Sequence, residues 1–502
     1  MMHQAQTVLD LHDIQGNIVK AYGRYGFPKG RYVFFAVEPK QGTGGRHFVL
    51  AVSKLITTSS PWRERDLNIK SAAPIPEVTT NIAFTYHGLR ELGVPRASLQ
   101  TFPDEFAMGM RARADILGDD GTSAPGHWDP IWRDEPDQVH IMIALMGQDD
   151  ACLERRYQEI ISLARENNVR LLSGHRGPNG AENLDYQAAT AIWENGAPTA
   201  KEHFGYTDGI SDPFFKGTGA HEANLIGGGR PTGLPPQTLA GWAPLETGEF
   251  LLGYKDEAKE CPEAPSPKLL SHNGTFMAYR KLHENVGSFD SYLEHIGHEY
   301  PGGKEALAAK FAGRWRNGAP LSTFPTEQEA NTFAEQWQRA KNAIAQAKTH
   351  ADRAAAKARF SELNKQFVAF DFRDDLSGGR CPMGAHIRRA NPRTALEFGE
   401  TLAFETPGAL SNRRRIIRRG LPYGDSHNSR TDDGDHGIIF MAINASLRRQ
   451  FEFVQQQWMN YGNDFRLGSE RDALTGNHPA DGGSLVIQSH PDDARPPFFC
   501  NK

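Results

Sequence analysis

Apolar runs of strand length recur in both halves of this chain, at residues 32–37, 82–86 and 139–145 and again at 249–254 and 274–279, with helical stretches between them. That alternation confines the fold to mixed α and β. The segment 150–168 carries Leu153, Tyr157, Ile160, Ile161 and Ala164 at helical spacing, which gives one apolar and one charged face. A Gly/Pro-rich tract, 217–236, stands between the halves as the best candidate for an interdomain connection, and its Gly227-Gly228-Gly229 does not form a phosphate-binding fingerprint. It separates an N-terminal part, 1–216, from a C-terminal part, 237–502. Element order on the two sides reads as a duplication, although no repeat is visible by residue identity. Within the C-terminal part a polar helical insertion, about 326–367, opens with a capping box at Thr326-x-x-Glu329. Its apolar face is thin, with Phe333, Trp337 and Ile344, so it is expected at the surface or at a subunit contact. Sustained coiled-coil heptads are missing.

The 502 residues are 38% hydrophobic and 23% charged, as in an ordinary globular protein able to bury a substantial core. A net charge of −5 argues against general affinity for nucleic acid or anionic membranes. No stretch approaches the roughly 20 apolar residues of a membrane span, and the first residues show no basic patch followed by an apolar run. A soluble, cytoplasmic protein is therefore expected. Cys152, Cys261, Cys381 and Cys500 are scattered, which reads as free thiols rather than a zinc site or a disulfide scaffold.

Three segments carry chemistry. Asp208 sits in Gly205-Tyr206-Thr207-Asp208-Gly209, and glycine accepts backbone conformations closed to other residues, so a carboxylate here can be presented on a tight turn close to a ligand. Aspartate in a Gly-rich turn also serves turn chemistry alone. His386 follows Cys381-Pro382 and precedes Asn391-Pro392, so prolines bound a short, rigid helical segment suited to a ligand. Thiolate ligation through Cys381 is a rival ranked below His386. Arg413, Arg414, Arg415, Arg418 and Arg419 resemble a solvated basic patch, but Ile416-Ile417 interrupts them in a strand-like way. Strand alternation then sends Arg418 and Arg419 to opposite faces. Haem iron wants an axial imidazole on one side, and hydrogen peroxide wants a base and a cation on the other. The Glu294-His295-Ile296-Gly297-His298-Glu299 segment has metal-like spacing but not the His-Glu-x-x-His order.

In combination these segments resemble the dye-decolorising peroxidase family along nearly the whole chain. Asp13-Ile14-Gln15-Gly16-Asn17-Ile18, Gly88-Leu89-x-x-Leu92-Gly93-Val94 and Phe102-Pro103-x-x-Phe106-x-x-Gly109-Met110 are similar to signatures of its longer members. Gly205-x-x-Asp208-Gly209 and the run from His386 to Arg393 match its two defining motifs. The resemblance implies an α+β fold of two ferredoxin-like domains with antiparallel sheets packed together, of the dimeric α+β barrel type. It also implies one non-covalent haem b per chain, bound mainly by the C-terminal domain.

By the same resemblance His386 would be the axial ligand of the haem iron, Asp208 the acid-base group opposite it and Arg418 the arginine beside Asp208, with Arg419 as fallback. Ile438 and Phe440 would line the peroxide side, Ile438 being a departure within apolar chemistry. Arg393 would lie near the haem propionates. Asp472, with Asp464 behind it, would orient the imidazole. Asp208 would move a proton from the inner to the outer oxygen of hydrogen peroxide while Arg418 stabilises the leaving oxygen. Bulky aromatic donors, dyes and phenolics, would then give up single electrons at the haem edge or through surface Trp and Tyr residues. Trp458 and Tyr423 are candidates, although Trp458 also completes a helical stripe with Leu447, Phe451 and Val454 and reads as core. Aspartate's reference pKa of about 3.9, against about 6.5 for histidine, implies an acidic optimum. A haem-handling protein with little turnover and an assembly partner using the insertion are the alternatives, and a homo-oligomer is compatible with both.

Overall fold

The structure is a computed structural model that describes residues 8–38, 43–62, 74–219, 222–397, 407–425, 431–478, 482–489 and 496–501. Its first sheet is built from β1 (Lys29–Val37), β2 (Val78–Phe84), β3 (Ile141–Gly147) and β4 (Val169–Leu171) in the order β2-β3-β1-β4, all antiparallel, with β5 (Gln187–Thr190) also paired to β1. Helix α1 (Gly44–Ser53) joins β1 to β2 and α2 (Asp150–Glu166) joins β3 to β4, the split β-α-β order of a ferredoxin-like domain.

Both faces of this sheet are buried, and alternation assigns each residue its neighbour. Val33, Phe35, Ile141, Ile143 and Leu145 face Phe48, Val52, Ile160 and Ile161 of the two helices. Tyr32, Phe34, Ala36, Met142 and Ala144 point the other way, onto Met277, Tyr279, Ile439 and Met441 of a second sheet. That sheet contains β6 (Phe276–His283), β7 (Ile417–Arg419), β8 (Pro422–Tyr423) and β9 (Gly437–Asn444), with β9 central and antiparallel to the others. The two sheets that an α+β barrel requires are thus supplied by one chain.

Burial of Ile439 and Met441 between the sheets is worth about 1.5–3 kcal/mol each, so a one-residue slip of β9 is heavily disfavoured. The register follows: Arg418 pairs with Ala442 and Arg419 with Met441. Arg418 therefore shares the outer face of the second sheet with Ile438, Phe440, Ala442 and Arg280, and Arg419 points between the sheets. Strands β7 and β8 keep one register against β9 and are interrupted at Gly420, whose φ is 132°. A side chain there would meet the carbonyl of Ile439.

Several expectations are corrected. Residues 249–254 form no strand: a 3₁₀ turn at Thr247–Glu249 packs Gly248 against the backbone of 254–256 and buries Phe250 and Leu251. The Gly/Pro-rich tract, expected as an interdomain connection, holds a helix at Glu222–Gly228 and a two-residue strand, Arg230–Pro231, paired to Trp242–Ala243. The stripe through Phe451 and Val454 lies on π-helical turns, Arg448–Glu452 and Val454–Met459, not a regular α-helix. The insertion is a helical hairpin, α3 (Glu327–Gln346) and α4 (His350–Val368), opened by the Thr326–Glu329 capping box. Its inward face is more substantial than its sequence indicates, because Phe333, Ala340, Leu363 and Phe367 join one core with Trp315, Phe370 and Cys381.

Replacing Gly420 by alanine is expected to destabilise the fold by at least the roughly 1–3 kcal/mol of a strained backbone position. Denaturant unfolding of G420A against the parent reads this directly, and an unchanged midpoint would contradict it.

Candidate active site

Gly205 and Gly209 take φ of 91° and 72°, which bends the chain back on itself around Asp208. The Asp208 amide donates to the carbonyl of Ala200 at 2.7 Å, and Arg418 Nη1 donates to Asp208 Oδ1 at 2.7 Å. Burial alone would push the Asp208 carboxyl up. Arg418, the Gly209 amide and His386 more than offset it and hold Asp208 below the ordinary carboxylate value. Asp208 in turn raises Arg418 further, against burial.

His386 opens the short helix α5 (His386–Ala390), and its Nδ1 lies 3.2 Å from both carboxylate oxygens of Asp472. Asp472 is held by the amides of Leu474 and Thr475 at 3.0 and 2.8 Å and by the Thr475 hydroxyl at 3.0 Å. Burial would raise the Asp472 carboxyl, but His386 and Arg389 drive it far below the usual range, so it acts as an acceptor. In the neutral ring the proton then belongs on Nδ1, and Nε2 presents its lone pair away from Asp472. Asp464, the alternative, instead accepts from Trp458 Nε1 at 3.0 Å.

The His386, Asp208 and Arg418 side chains lie deep in the protein yet keep 28, 40 and 34% of their surface accessible, so each stays within reach of a small molecule. Each also biases the others' titration. Ile438 and Phe440 share the sheet face of Arg418. A cavity of about 2140 Å³ wraps the β6 edge and approaches through Phe204, Ile438 and Thr475, but Asp208, Arg418 and His386 do not line it. The three-residue geometry, not that volume, defines the site.

Beside Arg393, which the resemblance placed near the propionates, stand two buried arginines that sequence reasoning did not assign to the site, Arg314 and Arg415. Arg393 donates to the carbonyls of Val368, Phe370 and Gly227 and to Ser211 Oγ, and it lies over the Phe370 and Trp242 rings. Arg314 donates to Gly318 and Phe367, and Arg415 to Gly228 and Gly229. Among the described residues none of the three has an acidic partner within ion-pair distance. Burial above all pulls Arg314 down to about 9 and Arg415 to about 10, and draws Arg393 well below an ordinary arginine. An unpaired buried charge costs several kcal/mol, so the cluster calls for an anionic group. Two haem propionates meet that requirement, and the donor set therefore fits the cofactor.

The five-arginine segment is not a solvated patch. Arg413 pairs with Asp256 at 3.1 Å, Arg414 lies 3.8 Å over the Phe453 ring, Arg415 is buried, and Arg419 reaches Asp212 and the carbonyls of Asn17 and Ile18. The fallback Arg419 is therefore turned away from Asp208. Cys381 is a core thiol whose pKa burial pushes up to about 12, so it offers no thiolate. Trp458 and Tyr423 are both buried, and neither is a surface aromatic.

A family model described as "DyP dimeric alpha+beta barrel domain" matches residues 13–176. Peroxidase 2 of Mycetinis scorodonius is 27% identical over 471 residues, covering 92% of this chain and 75% of that protein. A dye-decolorizing peroxidase of Mycena epipterygia is also 27% identical, covering 90% of this chain and 72% of its own length. The fold superposes on a decolorizing peroxidase from Auricularia auricula-judae with a TM-score of 0.67, at 22% identity, over 98% of this chain and 96% of that one. An ancestral D-type dye decolorizing peroxidase gives 0.66 at 25% identity, over 96% and 91%. With its two packed sheets and its carboxylate, arginine and imidazole gathered at one site, the chain is similar in sequence and fold to dye-decolorising peroxidases over nearly its whole length.

Proposed function

We propose that this protein is a haem peroxidase that reduces hydrogen peroxide and takes electrons one at a time from bulky aromatic donors, dyes and phenolics. The observation that carries the reading is the close grouping of the ionised Asp208, its partner Arg418 and the carboxylate-held imidazole of His386, all deeply placed, partly accessible and electrostatically interacting. His386 Nε2 would hold the iron of a non-covalent haem b, and Arg393, Arg314 and Arg415 would take its propionates. When bound, the haem supplies the redox centre for peroxide reduction.

Asp208 is fit to accept the first proton of peroxide because Arg418 keeps it ionised, and to return that proton to the departing oxygen because it sits on a fixed turn. Arg418 is fit to stabilise the charge that develops there. Asp472 fixes the imidazole tautomer and orientation. Bulky donors would deliver their electrons through the haem edge or the protein rather than at Asp208.

Asp208→Asn and Arg418→Leu are each expected to slow the stopped-flow absorption change with one equivalent of peroxide by about 10²- to 10⁴-fold while the Soret band remains. Unchanged rates in both would remove them from the mechanism. Since Arg418 depresses the Asp208 carboxyl, its base form is present above the depressed value and lost only as pH falls through it. The peroxide step should therefore hold its rate down to about pH 4, and dye turnover should be best below neutrality. A rate that collapses with a midpoint near pH 6.5, the histidine range, would contradict this.

His386→Ala is expected to lose or displace the ferric Soret band of the haem-loaded protein. Asp472→Asn should keep the band but weaken haem retention by about 10- to 100-fold in a haem-transfer assay. A wild-type protein that binds haem without reacting with peroxide would favour the haem-handling alternative.

A further inference from the structure

A half-buried carboxyl, Glu202, and a buried one, Glu284, lie under the Asp208 turn and have no part in the chemistry above. Glu202 Oε2 accepts from the Phe204 amide at 2.7 Å and Oε1 from the Tyr206 amide at 2.6 Å. The Gly205 amide donates to the Glu202 carbonyl at 2.9 Å, and the Glu202 amide to the Tyr206 carbonyl at 3.1 Å. The first half of the glycine-bounded turn thus hangs from one residue. Glu284, just after β6, accepts from the amide of His203, the residue next to Glu202, at 2.9 Å, which sets the two carboxyls close enough to interact.

The charges around this pair are few and mostly negative. Arg316 faces Glu202 but is divided among Glu305 at 3.1 Å, Asp290 at 3.8 Å and the Phe204 carbonyl. Asp208 adds a third carboxylate. His203 and His436, rings 5.3 Å apart, are held below the ordinary histidine value mainly by burial, so they bring no positive charge. Two carboxyls in contact away from water cannot both ionise cheaply. Burial first, and the neighbouring carboxylates after it, hold Glu202 at about 7 and Glu284 at about 9.

We propose that Glu202 and Glu284 are a proton-sharing acid pair that positions Asp208: one proton between them clamps the turn from Glu202 to Asp208, and its release leaves two like charges that loosen the clamp. No other reactant is involved, because the pair gives its proton to water. The catalytic consequence rests on the peroxidase reading, whereas the shared proton does not.

The test uses the haem-loaded protein and Glu284→Gln, Glu202→Ala and Glu202→Gln. Glu284→Gln keeps a donor for Glu202 and an acceptor for the His203 amide but cannot ionise. The infrared difference between wild type and E284Q at neutral pH should show one protonated-carboxyl carbonyl stretch. The pair's raised pKa values mean that the folded state holds a proton the unfolded chain releases, so the pair lowers stability as pH rises from about 4.5 to 9. Wild-type Tm should fall over that window more steeply than that of E284Q. The peroxide rate constant should decline on the alkaline side in wild type and persist in E284Q. E202A, lacking both acceptors, should lose about 10²-fold in that rate at every pH with its Soret band intact. If E202A does not fold, E202Q, which keeps one acceptor oxygen, should show a smaller loss in the same direction. Absence of the carbonyl band, or an alkaline limb in E284Q identical to wild type, overturns the proposal. A protein with the band and the Tm slope but no reaction with peroxide overturns the peroxidase reading, and the positioning role with it.

Discussion

Burial of one face of β9 against the N-terminal sheet is the constraint on which the rest depends. Ile439 and Met441 are sealed between the sheets, and the pleat then commits Ile438, Phe440 and the paired Arg418 to the opposite face. The N-terminal half therefore acts on the site twice: it presses the second sheet into register, and it delivers Asp208 on a turn to meet the arginine which that register exposes. Neither element could make the site alone, since the two residues are 210 positions apart and joined by one 2.7 Å contact.

Electrostatics sort the cavity into regions of opposite demand. Around Asp208, Glu202 and Glu284 negative charge is in excess, and the protein answers with Arg418, a divided Arg316 and a shared proton. Around Arg393, Arg314 and Arg415 positive charge is in excess, and the protein answers with carbonyl dipoles, the Ser211 hydroxyl and aromatic faces rather than carboxylates. Among these are carbonyls at the C-terminal end of α4, where the helix dipole favours cations. The helical hairpin, read from sequence as a surface feature, thus anchors the arginine cluster that suits an anionic cofactor edge.

Local chemistry was the legible part. Gly205 and Gly209 announce a turn that only glycine adopts freely, the prolines around His386 announce a short helix, and alternation through Ile416-Ile417 announces that Arg418 and Arg419 diverge. Features set by burial were not legible. Arg415 stands in a run of arginines that reads as solvated, and Arg314 stands in no motif, because nothing in the neighbouring residues records that both end under the same roof. The strand expected at 249–254 failed for a related reason: Phe250, Leu251 and Leu252 are apolar enough for a strand, but the tight approach of Gly248 to the 254–256 backbone turns them into the core without a partner strand.

By itself the sequence indicated the α+β class and, through a family resemblance, nominated Asp208, Arg418 and His386, while turn glycines, bounding prolines and strand period, which act over a few residues, indicated the local backbone around them. Tertiary structure alone decided that Asp472 rather than Asp464 holds His386, that Arg419 turns away from Asp208, and that Glu202 and Glu284 lie side by side under the Asp208 turn. Those outcomes depend on distance and desolvation between segments far apart in the chain, and only packing sets either quantity.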